Sequence, residues 1–289
     1  MAEIGLVPFA QVALQISRGV VPAYRTKFSK RQFSQPQLLA ILCLMRYEDW
    51  TFRETEVRLA EHQELRAVLG LVSVPDHSTL YRFMRRLSVE LLNTVLIAAL
   101  KQVPGPATPV KATVAVDGTG LTPGAISTFF VKRVKDRGNG FEWRHWLKWV
   151  VVVDTDRHAI VAQVAHRGPY NDCATLRPLV DAAQRVIPIG CVLADAEFDS
   201  ERNHQHIRQQ LKAQSIIPAK RGKASWNIQG IRAKMRKRFP RRKYGQRSLI
   251  ESVFSAIKRK LSARAPGHST ETQQLQALLL GLAYNVYRV

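Results

Sequence analysis

One carboxylate stands at the end of a long basic stretch. From Arg202 to Ile250 there is no Asp or Glu but fifteen Lys and Arg, and the next residue is Glu251. It belongs to the run Tyr244-Gly-Gln-Arg247-Ser-Leu-Ile-Glu251-Ser-Val-Phe-Ser-Ala-Ile-Lys258. A helix turns about 100° per residue, so Tyr244, Arg247, Glu251 and Lys258 share an arc of roughly 60°. A second face carries Ile250, Val253, Phe254, Ile257 and Leu261 at offsets that suit a core stripe. The helix would bury one side and present an acid, two bases and a phenol beside it. Such a face is suited to holding a metal ion while gripping phosphates. The competing reading is a solvated surface with an ordinary i,i+4 Arg247/Glu251 pair.

Two further acids close apolar runs. Thr113-Val-Ala-Val-Asp117 and Cys191-Val-Leu-Ala-Asp195 each read as a buried strand ending in a carboxylate. Asp117, Asp195 and Glu251 are 78 and then 56 residues apart, so only the fold can bring them together. Strand ends at one sheet edge are where sites in open α/β folds form. Hard oxygen ligands favour Mg²⁺ or Mn²⁺. Two such ions about 4 Å apart activate a water or hydroxyl and stabilise the leaving oxygen at a phosphodiester. Composition leaves rivals: Glu197, Asp199 and Glu201 crowd Asp195, while Asp154 and Asp156 also follow an apolar run, although they fit a hairpin turn before Ala159 to Val164 better.

The 289 residues carry a formal charge of +22 with 46% apolar residues. A chain this apolar builds a core, and a field this positive calls for a polyanion. Nucleic acid is the expected partner. A membrane surface fits less well, because no basic amphipathic helix with Trp or Phe on its other face stands out. Cys43, Cys173 and Cys191 form no C-x-x-C, which disfavours a structural zinc, and the sparse odd count suits a reducing compartment. No secretory signal pattern and no membrane-spanning apolar run is read, so a soluble, cytoplasmic, nucleoid-associated protein is expected.

The elements that must position these acids fall into two parts. Residues 1–105 read as a helical, helix-turn-helix-like DNA-binding domain. Pro36 opens a helix through Leu38 to Met45. Thr51 and Glu54 form a capping box. A helix ends near Gly70, another runs from Thr79 to Leu87, and a last one reaches about Val103. Arg82, Arg85 and Arg86 are its candidate DNA contacts. The linker Pro104-Gly-Pro106-Ala-Thr-Pro109 cannot continue a helix. Residues 106–289 read as an α/β domain with strands at Thr113–Asp117, Ile126–Val131 and Leu147–Val153. A helix at Ala174–Val186, a strand at Cys191–Asp195, a helix at Ser200–Ala213 and a strand at Ser215–Pro218 follow. The Glu251 helix and a closing helix at Thr270–Tyr287 complete a mixed sheet in the order βββαβαβα. The basic segment 220–243, with Arg236, Lys237 and Arg238, is expected to clamp DNA. The group Trp143 to Lys148 would stack on bases or pack in the core, with packing at least as well supported. His145, His158 and His166 read as structural or surface residues.

From about residue 30 onward the chain resembles a DDE transposase of the IS4/IS5 insertion-sequence group, closest in style to IS5-family members. The Y-(2)-R-(3)-E-(6)-K signature is met by Tyr244, Arg247, Glu251 and Lys258. The first acid block matches at Val114-Ala-Val-Asp117-Gly118-Thr119 and the second at Leu193-Ala-Asp195-Ala196-Glu197-Phe198-Asp199-Ser200, where Glu197 stands in place of the usual Gly. The resemblance implies an RNase H-like core with Asp117, Asp195 and Glu251 as catalytic residues binding two Mg²⁺ (or Mn²⁺). It implies Tyr244, Arg247 and Lys258 as holders of DNA backbone or a displaced base. The expected activity is binding of insertion-sequence ends, metal-dependent cleavage and strand transfer into target DNA. The partners are double-stranded DNA, both terminal inverted repeats and target, with a homodimer or higher assembly in the synaptic complex. A nuclease of this fold that cuts without joining, and a non-catalytic DNA-binding regulator, are the alternatives. Paired-end strand transfer and metal-dependent cleavage separate them.

Overall fold

The computed structural model describes residues 3–24, 31–106, 111–123, 146–168, 172–220 and 228–289. The first half is helical because caps and apolar runs alternate along it. α1 (Leu6–Val20) buries Phe9, Ala10, Ala13, Leu14 and Ile16 at helical spacing, and adds a helix to those expected. α2 (Gln35–Tyr47) starts in a Ser34/Gln37 capping box with Pro36 in its first turn and is buried from Leu38 to Tyr47. The Thr51/Glu54 capping box opens α3 (Phe52–Glu61). α4 (Gln63–Leu69) stops where Gly70 takes φ 63°, a left-handed backbone that favours glycine. α5 (His77–Met84) is capped by Asp76 and α6 (Val89–Gln102) by Ser88.

Five strands follow in one mixed sheet: β1 (Ala112–Leu121), β2 (Leu147–Asp154), β3 (Ala159–Arg167), β4 (Ile189–Ala194) and β5 (Gln214–Ile216). Their spatial order is β3-β2-β1-β4-β5. The β3–β2 and β2–β1 pairs are antiparallel, whereas β1–β4 and β4–β5 are parallel. α7 (Asp172–Gln184) connects β3 to β4, and α8 (Glu201–Gln205), widening into a π turn over His206–Gln210, connects β4 to β5. The order βββαβαβα therefore describes these elements, but its third strand is Ala159–Arg167. The expected strand at Ile126–Val131 lies outside the described residues, as do Trp143, Arg144, His145 and linker residues 107–109.

One strand boundary differs usefully from expectation. β1 does not stop at Asp117 but runs four residues further, paired with β2 as far as Leu121↔Leu147. Gly118 and Gly120 survive inside it because neighbouring side chains cross them. A Cβ on Gly118 would lie 2.5 Å from Lys148 Cε, and one on Gly120 would lie 3.1 Å from the Trp146 ring.

The sheet has a core on each side. One face packs Val114, Val116, Val150 and Val152 against α7 residues Leu176, Leu179 and Val180. The other face, through Ala115, Val151, Val153 and Leu193, shares one continuous core with α1, α2, α5 and α6 and with the C-terminal helices. Those are α11 (Ser248–Lys260) and α12 (Thr270–Arg288), with Tyr244 of the short α10 (Arg241–Tyr244) packed against them; α9 (Gly230–Lys237) adds no residue to this core. α12 is buried almost throughout. Asn285 on it bonds both the N–H and the carbonyl of Ile160 at 2.9 and 2.8 Å, fixing it to β3. Arg46, 1% exposed, donates to Arg264 O at 2.6 Å and so ties α2 to the loop before α12. Among the described residues no helix is long and apolar enough to cross a membrane. Cys43, Cys173 and Cys191 form no disulfide with one another.

Candidate functional site

β1 and β4 are parallel neighbours, and their last bonded pair is Val116↔Ala194. Asp117 and Asp195 are the next residue on each chain. Adjacent strands lie about 4.8 Å apart, so the two aspartates stand side by side where β1 loses β4 as a partner. Alternation puts them on the face of Ala115 and Leu193, which bury against α11. Each is oriented by local backbone. Asp117 Oδ1 accepts from Gly118 N at 2.8 Å, and Asp195 Oδ1 accepts from Glu197 N at 2.9 Å while capping the 3₁₀ turn Ala196–Phe198.

Glu251 reaches this edge from α11. Ile250, Val253, Phe254 and Ile257 are buried on that helix, as the apolar stripe requires. The signature does not lie on one uninterrupted α-helix: Tyr244 ends α10, Gly245–Arg247 form a 3₁₀ turn, and α11 begins at Ser248. Neither Tyr244, before the 3₁₀ turn, nor Arg247, before α11, caps the turn that follows with its side chain. The outcome for Arg247 is a fork. Its Nη1 lies 2.9 Å from Asp117 Oδ2 and its Nη2 lies 2.6 Å from Glu251 Oε1. Half-buried Tyr244 packs edge-on to Phe239 at 4.8 Å between ring centroids, and the Arg247 guanidinium stands 5.8 Å from its centroid.

Lys258 is exposed two turns along α11, about 10 Å beyond Glu251 at 1.5 Å per residue. It makes no ion pair among the described residues. Partial burial lowers its ammonium pKa.

The electrostatics of the cluster are those of acids short of cations. Burial pushes the Asp117 carboxyl above its ordinary value, and the charge on Asp195 adds to this. The Gly118 N–H and Arg247 oppose the rise without overcoming it. Burial also raises the Tyr244 phenol, with Asp195 and Asp117 adding and Arg247 opposing. Burial pulls Arg247 down, but Tyr244, Asp117, Glu251 and Asp195 carry it above its ordinary value.

Three carboxylates of this kind fit hard divalent cations in donor chemistry and in charge. Asp117, Asp195 and Glu251 do not all close to within 4.8 Å of one another; among the described residues that spacing is met only by Glu56, Asp76 and His77. The Arg247 guanidinium stands between Asp117 and Glu251, in contact with both.

The rival acids have other partners. Asp154 sits opposite Val114, three residues down the ladder from Asp117, and its Oδ2 binds Arg157 at 2.7 Å. Asp199, with a fully buried side chain, takes Arg232 Nε at 2.9 Å and Nη2 at 2.6 Å and accepts from Lys220 N at 2.9 Å. Glu201 accepts from Ile231 N and Arg232 N at the start of α9. Gly230, at φ 66°, is needed there because a Cβ would meet the Glu201 carboxylate. These two acids pin the basic helix beside the Asp195 turn. The Asp199–Arg232 pair was not legible in the sequence: 33 residues separate the partners, and no periodicity links them. Glu197 is exposed, and its carboxyl is raised first by the adjacent Asp172, then by burial and Asp195. Asp172 itself holds Lys148 at 2.5 Å across the opposite side of the same edge. No local pattern in the sequence marks this buried pair either.

The remaining candidates are basic and exposed. Arg236 and Lys237 lie on α9 and Arg238 follows it; Arg82 lies on α5, with Arg85 and Arg86 just past its end. Arg85 stands 6.0 Å over the Tyr81 ring.

Comparison with known proteins agrees with this architecture. The sequence model described as "Transposase DDE domain" matches residues 108–286, and that of a "Transposase domain (DUF772)" matches residues 6–86. No curated protein matches the chain. Among solved structures, a cryo-EM structure of a piggyBac transposase synaptic complex with hairpin DNA superposes with a TM-score of 0.50. It does so at 8% identity over 97% of this chain and 71% of that one, a likeness of fold.

Proposed function

This chain belongs to the transposases built on a DDE domain, and from that premise we propose that it binds the ends of an insertion sequence and catalyses metal-dependent DNA cleavage and strand transfer. The group proposed is IS4/IS5, in the style of the IS5 family. The sheet order β3-β2-β1-β4-β5 supports an RNase H-like catalytic core over residues 106–289. Residues 1–105 are assigned to DNA binding. The single observation that carries the reading is the meeting of Asp117 and Glu251 on one guanidinium beside Asp195.

In this proposal Asp117, Asp195 and Glu251 hold two divalent ions, Mg²⁺ or Mn²⁺. When bound, such ions lower the pKa of an attacking water or hydroxyl and stabilise the leaving oxygen. Gly118 N–H and Glu197 N–H each occupy one oxygen of Asp117 and Asp195; the second oxygen of Asp117 is freed for a cation when Arg247 lets go of it. Arg247 is within reach of a phosphate as soon as it releases a carboxylate, and a guanidinium matches phosphate geometry in two-pronged fashion. Tyr244 provides a ring face beside it for sugar or base. Lys258 and the exposed Arg236, Lys237 and Arg238 extend the positive surface along the DNA, and Arg82, Arg85 and Arg86 are assigned to end recognition. Hydrolysis of one phosphodiester frees a 3′-hydroxyl. That hydroxyl then attacks a target phosphodiester, whose own 3′-oxygen leaves with the proton balance made up by solvent. No covalent bond from protein to DNA is required. A homodimer or larger assembly brings two ends together, and the working compartment is the cytoplasm at the nucleoid.

The test is cleavage of duplex DNA carrying the element ends, with and without Mg²⁺ or Mn²⁺. Asp117→Asn, Asp195→Asn and Glu251→Gln should each lower cleavage at least about a thousandfold, as members of one catalytic unit do. DNA binding measured in chelator should persist. Cleavage that survives any of the three would remove that residue from the site, and cleavage indifferent to chelator would sink the reading. Joining is checked separately, by strand transfer from a pre-cut end.

A further inference from the structure

Two cations meet the acids at the catalytic edge, and they are held differently. Lys148 binds Asp172, a carboxylate only 4% exposed, at 2.5 Å. Taking that cation away would strand a buried charge, which is among the costlier losses a fold can suffer, so the pair is fixed. Arg247 spans two acids that water reaches: the Asp117 side chain is 18% exposed and that of Glu251 58%. Ion pairs open to solvent in this way contribute little, so this cation is exchangeable.

The position of Arg247 suits exchange as well. It closes the 3₁₀ turn Gly245–Arg247 between α10 and α11, a joint outside either regular helix. The exposed Arg241, Arg242 and Lys243 of α10 lead into that joint, so DNA that meets them also meets Arg247. The fork takes Asp117 Oδ2 and Glu251 Oε1. Asp117 Oδ1 already accepts from Gly118 N at 2.8 Å. A divalent cation on Asp117 therefore competes with the guanidinium for the remaining oxygen. Displaced with nothing to receive it, the guanidinium would stand beside the incoming cation and repel it. A phosphodiester accepts both prongs of a guanidinium and removes that conflict.

We infer that Arg247 is an exchangeable latch: it occupies Asp117 and Glu251 in the DNA-free chain, and a DNA phosphate draws it off, so that DNA and divalent cation bind with positive cooperativity. The inference rests on the metal-dependent reading above and adds an order to it, in which the carboxylates are fully available only once DNA is present. Coupling of this kind is reciprocal. Charge alone predicts something else. Removing a cation beside three acids would tighten a divalent ion by the same factor with or without DNA. A latch makes that factor depend on DNA, because with DNA bound the guanidinium has already left.

The experiment follows Mn²⁺ uptake by electron paramagnetic resonance on the full chain, alone and with an element-end duplex. The duplex carries a methylene in place of the scissile 3′-oxygen and so cannot be cut. Asp117→Asn and the duplex by itself are the blanks for ions held elsewhere. In the wild type the duplex should tighten Asp117-dependent uptake at least about tenfold, and Mn²⁺ should tighten duplex binding by the same factor. Arg247→Ala should bind Mn²⁺ at least about fivefold more tightly than the wild type without DNA, and no more tightly than the wild type with it. Arg247→Lys keeps the charge but cannot span both carboxylates, and it too should lose most of the duplex effect. With two variants, one folded protein suffices to decide. An equal gain in Mn²⁺ affinity with and without the duplex overturns the inference in favour of a plain charge effect. A lysine variant that couples as strongly as the wild type overturns it too. Uptake that ignores Asp117 sinks the carboxylate-site reading and the latch with it, whereas Asp117-dependent uptake that ignores the duplex sinks the latch alone.

Discussion

Asp117 and Asp199 are both largely shielded aspartates facing an arginine, and they have opposite fates. Asp199 receives both Nε and Nη2 of Arg232 and the N–H of Lys220, with His204 3.7 Å away. Burial would raise its carboxyl, but these donors outweigh burial and hold it down at about 2. Asp117 receives one prong of Arg247 and one N–H, with Asp195 beside it, and its carboxyl is raised. The clamp is complete within the chain. The site is not: three carboxylates, Asp117, Asp195 and Glu251, against one guanidinium leave two negative charges uncompensated when all are ionised. A purely structural acid cluster gains nothing from that deficit, whereas a site that takes up cations depends on it.

The largest effect on stability should come from the clamp. Asp199→Asn should cost about 2 kcal/mol at neutral pH, the order of a charged hydrogen bond lost from a buried partner. The folded carboxyl of Asp199 lies below its ordinary 3.8, so its stabilisation is full above that value and is lost as pH falls through about 2. Urea unfolding of wild type and variant should therefore converge in acid. A constant gap down to that pH would mean the loss is one of packing.

Arg247→Ala comes next, and it acts on the reaction. The Arg247–Glu251 contact includes a carboxylate 58% exposed, and ion pairs at such a surface are worth about 0–1 kcal/mol. The melting temperature should barely move. Cleavage should fall at least about tenfold, or about 1.4 kcal/mol of barrier, because a cation at a transferring phosphate stabilises developing charge. Mn²⁺ binding without DNA should tighten, since the guanidinium no longer occupies two of the carboxylates. Weaker Mn²⁺ binding together with a large loss of stability would return Arg247 to a structural role.

Asp117→Asn should show a smaller effect of opposite sign to the clamp. With its folded carboxyl raised, the stability linked to Asp117 is full below the ordinary carboxylate range and is lost as pH rises through the folded value. Neutralising it should stabilise the protein at neutral pH by under about 1 kcal/mol, an advantage that vanishes in acid. If it instead destabilises as much as Asp199→Asn, the contrast between site and clamp is gone.

What was legible in the sequence follows interaction range. Caps at Ser34, Thr51 and Asp76, the strand runs around β1, β2 and β4, and the apolar stripe of α11 are local patterns, and the chain forms them where they stand. That Asp117 and Asp195 follow neighbouring strands, and that Glu251 sits on a helix with a buried apolar stripe, was legible in the strand runs and the helix spacing. The extension of β1 to Leu121 was hidden, because glycines such as Gly118 and Gly120 are poor strand formers and only the fold shows Lys148 and Trp146 crossing them. The Arg247 fork was half-hidden. An i,i+4 pair with Glu251 is written in the spacing, but the bond to Asp117 spans 130 residues. Asp199–Arg232 and Lys148–Asp172 are pairings across loops, for which the sequence carries no local mark.

The smallest expected effect is the most discriminating for the clamp. Asp199 and Glu201 fix the start of α9, on which Lys234, Arg236 and Lys237 ride. Asp199→Asn removes one negative charge and no positive charge. If the basic helix contributes charge alone, non-specific duplex affinity should rise and its salt dependence should steepen. If the helix must be held in place to meet phosphates, the dependence should become shallower despite the added positive charge. The limit is about 0.9 in the slope of log K against log salt for each phosphate that the helix no longer neutralises. Titration of a fluorescent duplex across several salt concentrations reads that slope directly. We expect a slope shallower by up to one phosphate's share, because α9 has eight residues and its own N-cap residue, Gln229, offers no side-chain hydrogen bond, and helices this short depend on tertiary docking to persist. A steeper slope would show that the clamp serves the fold alone.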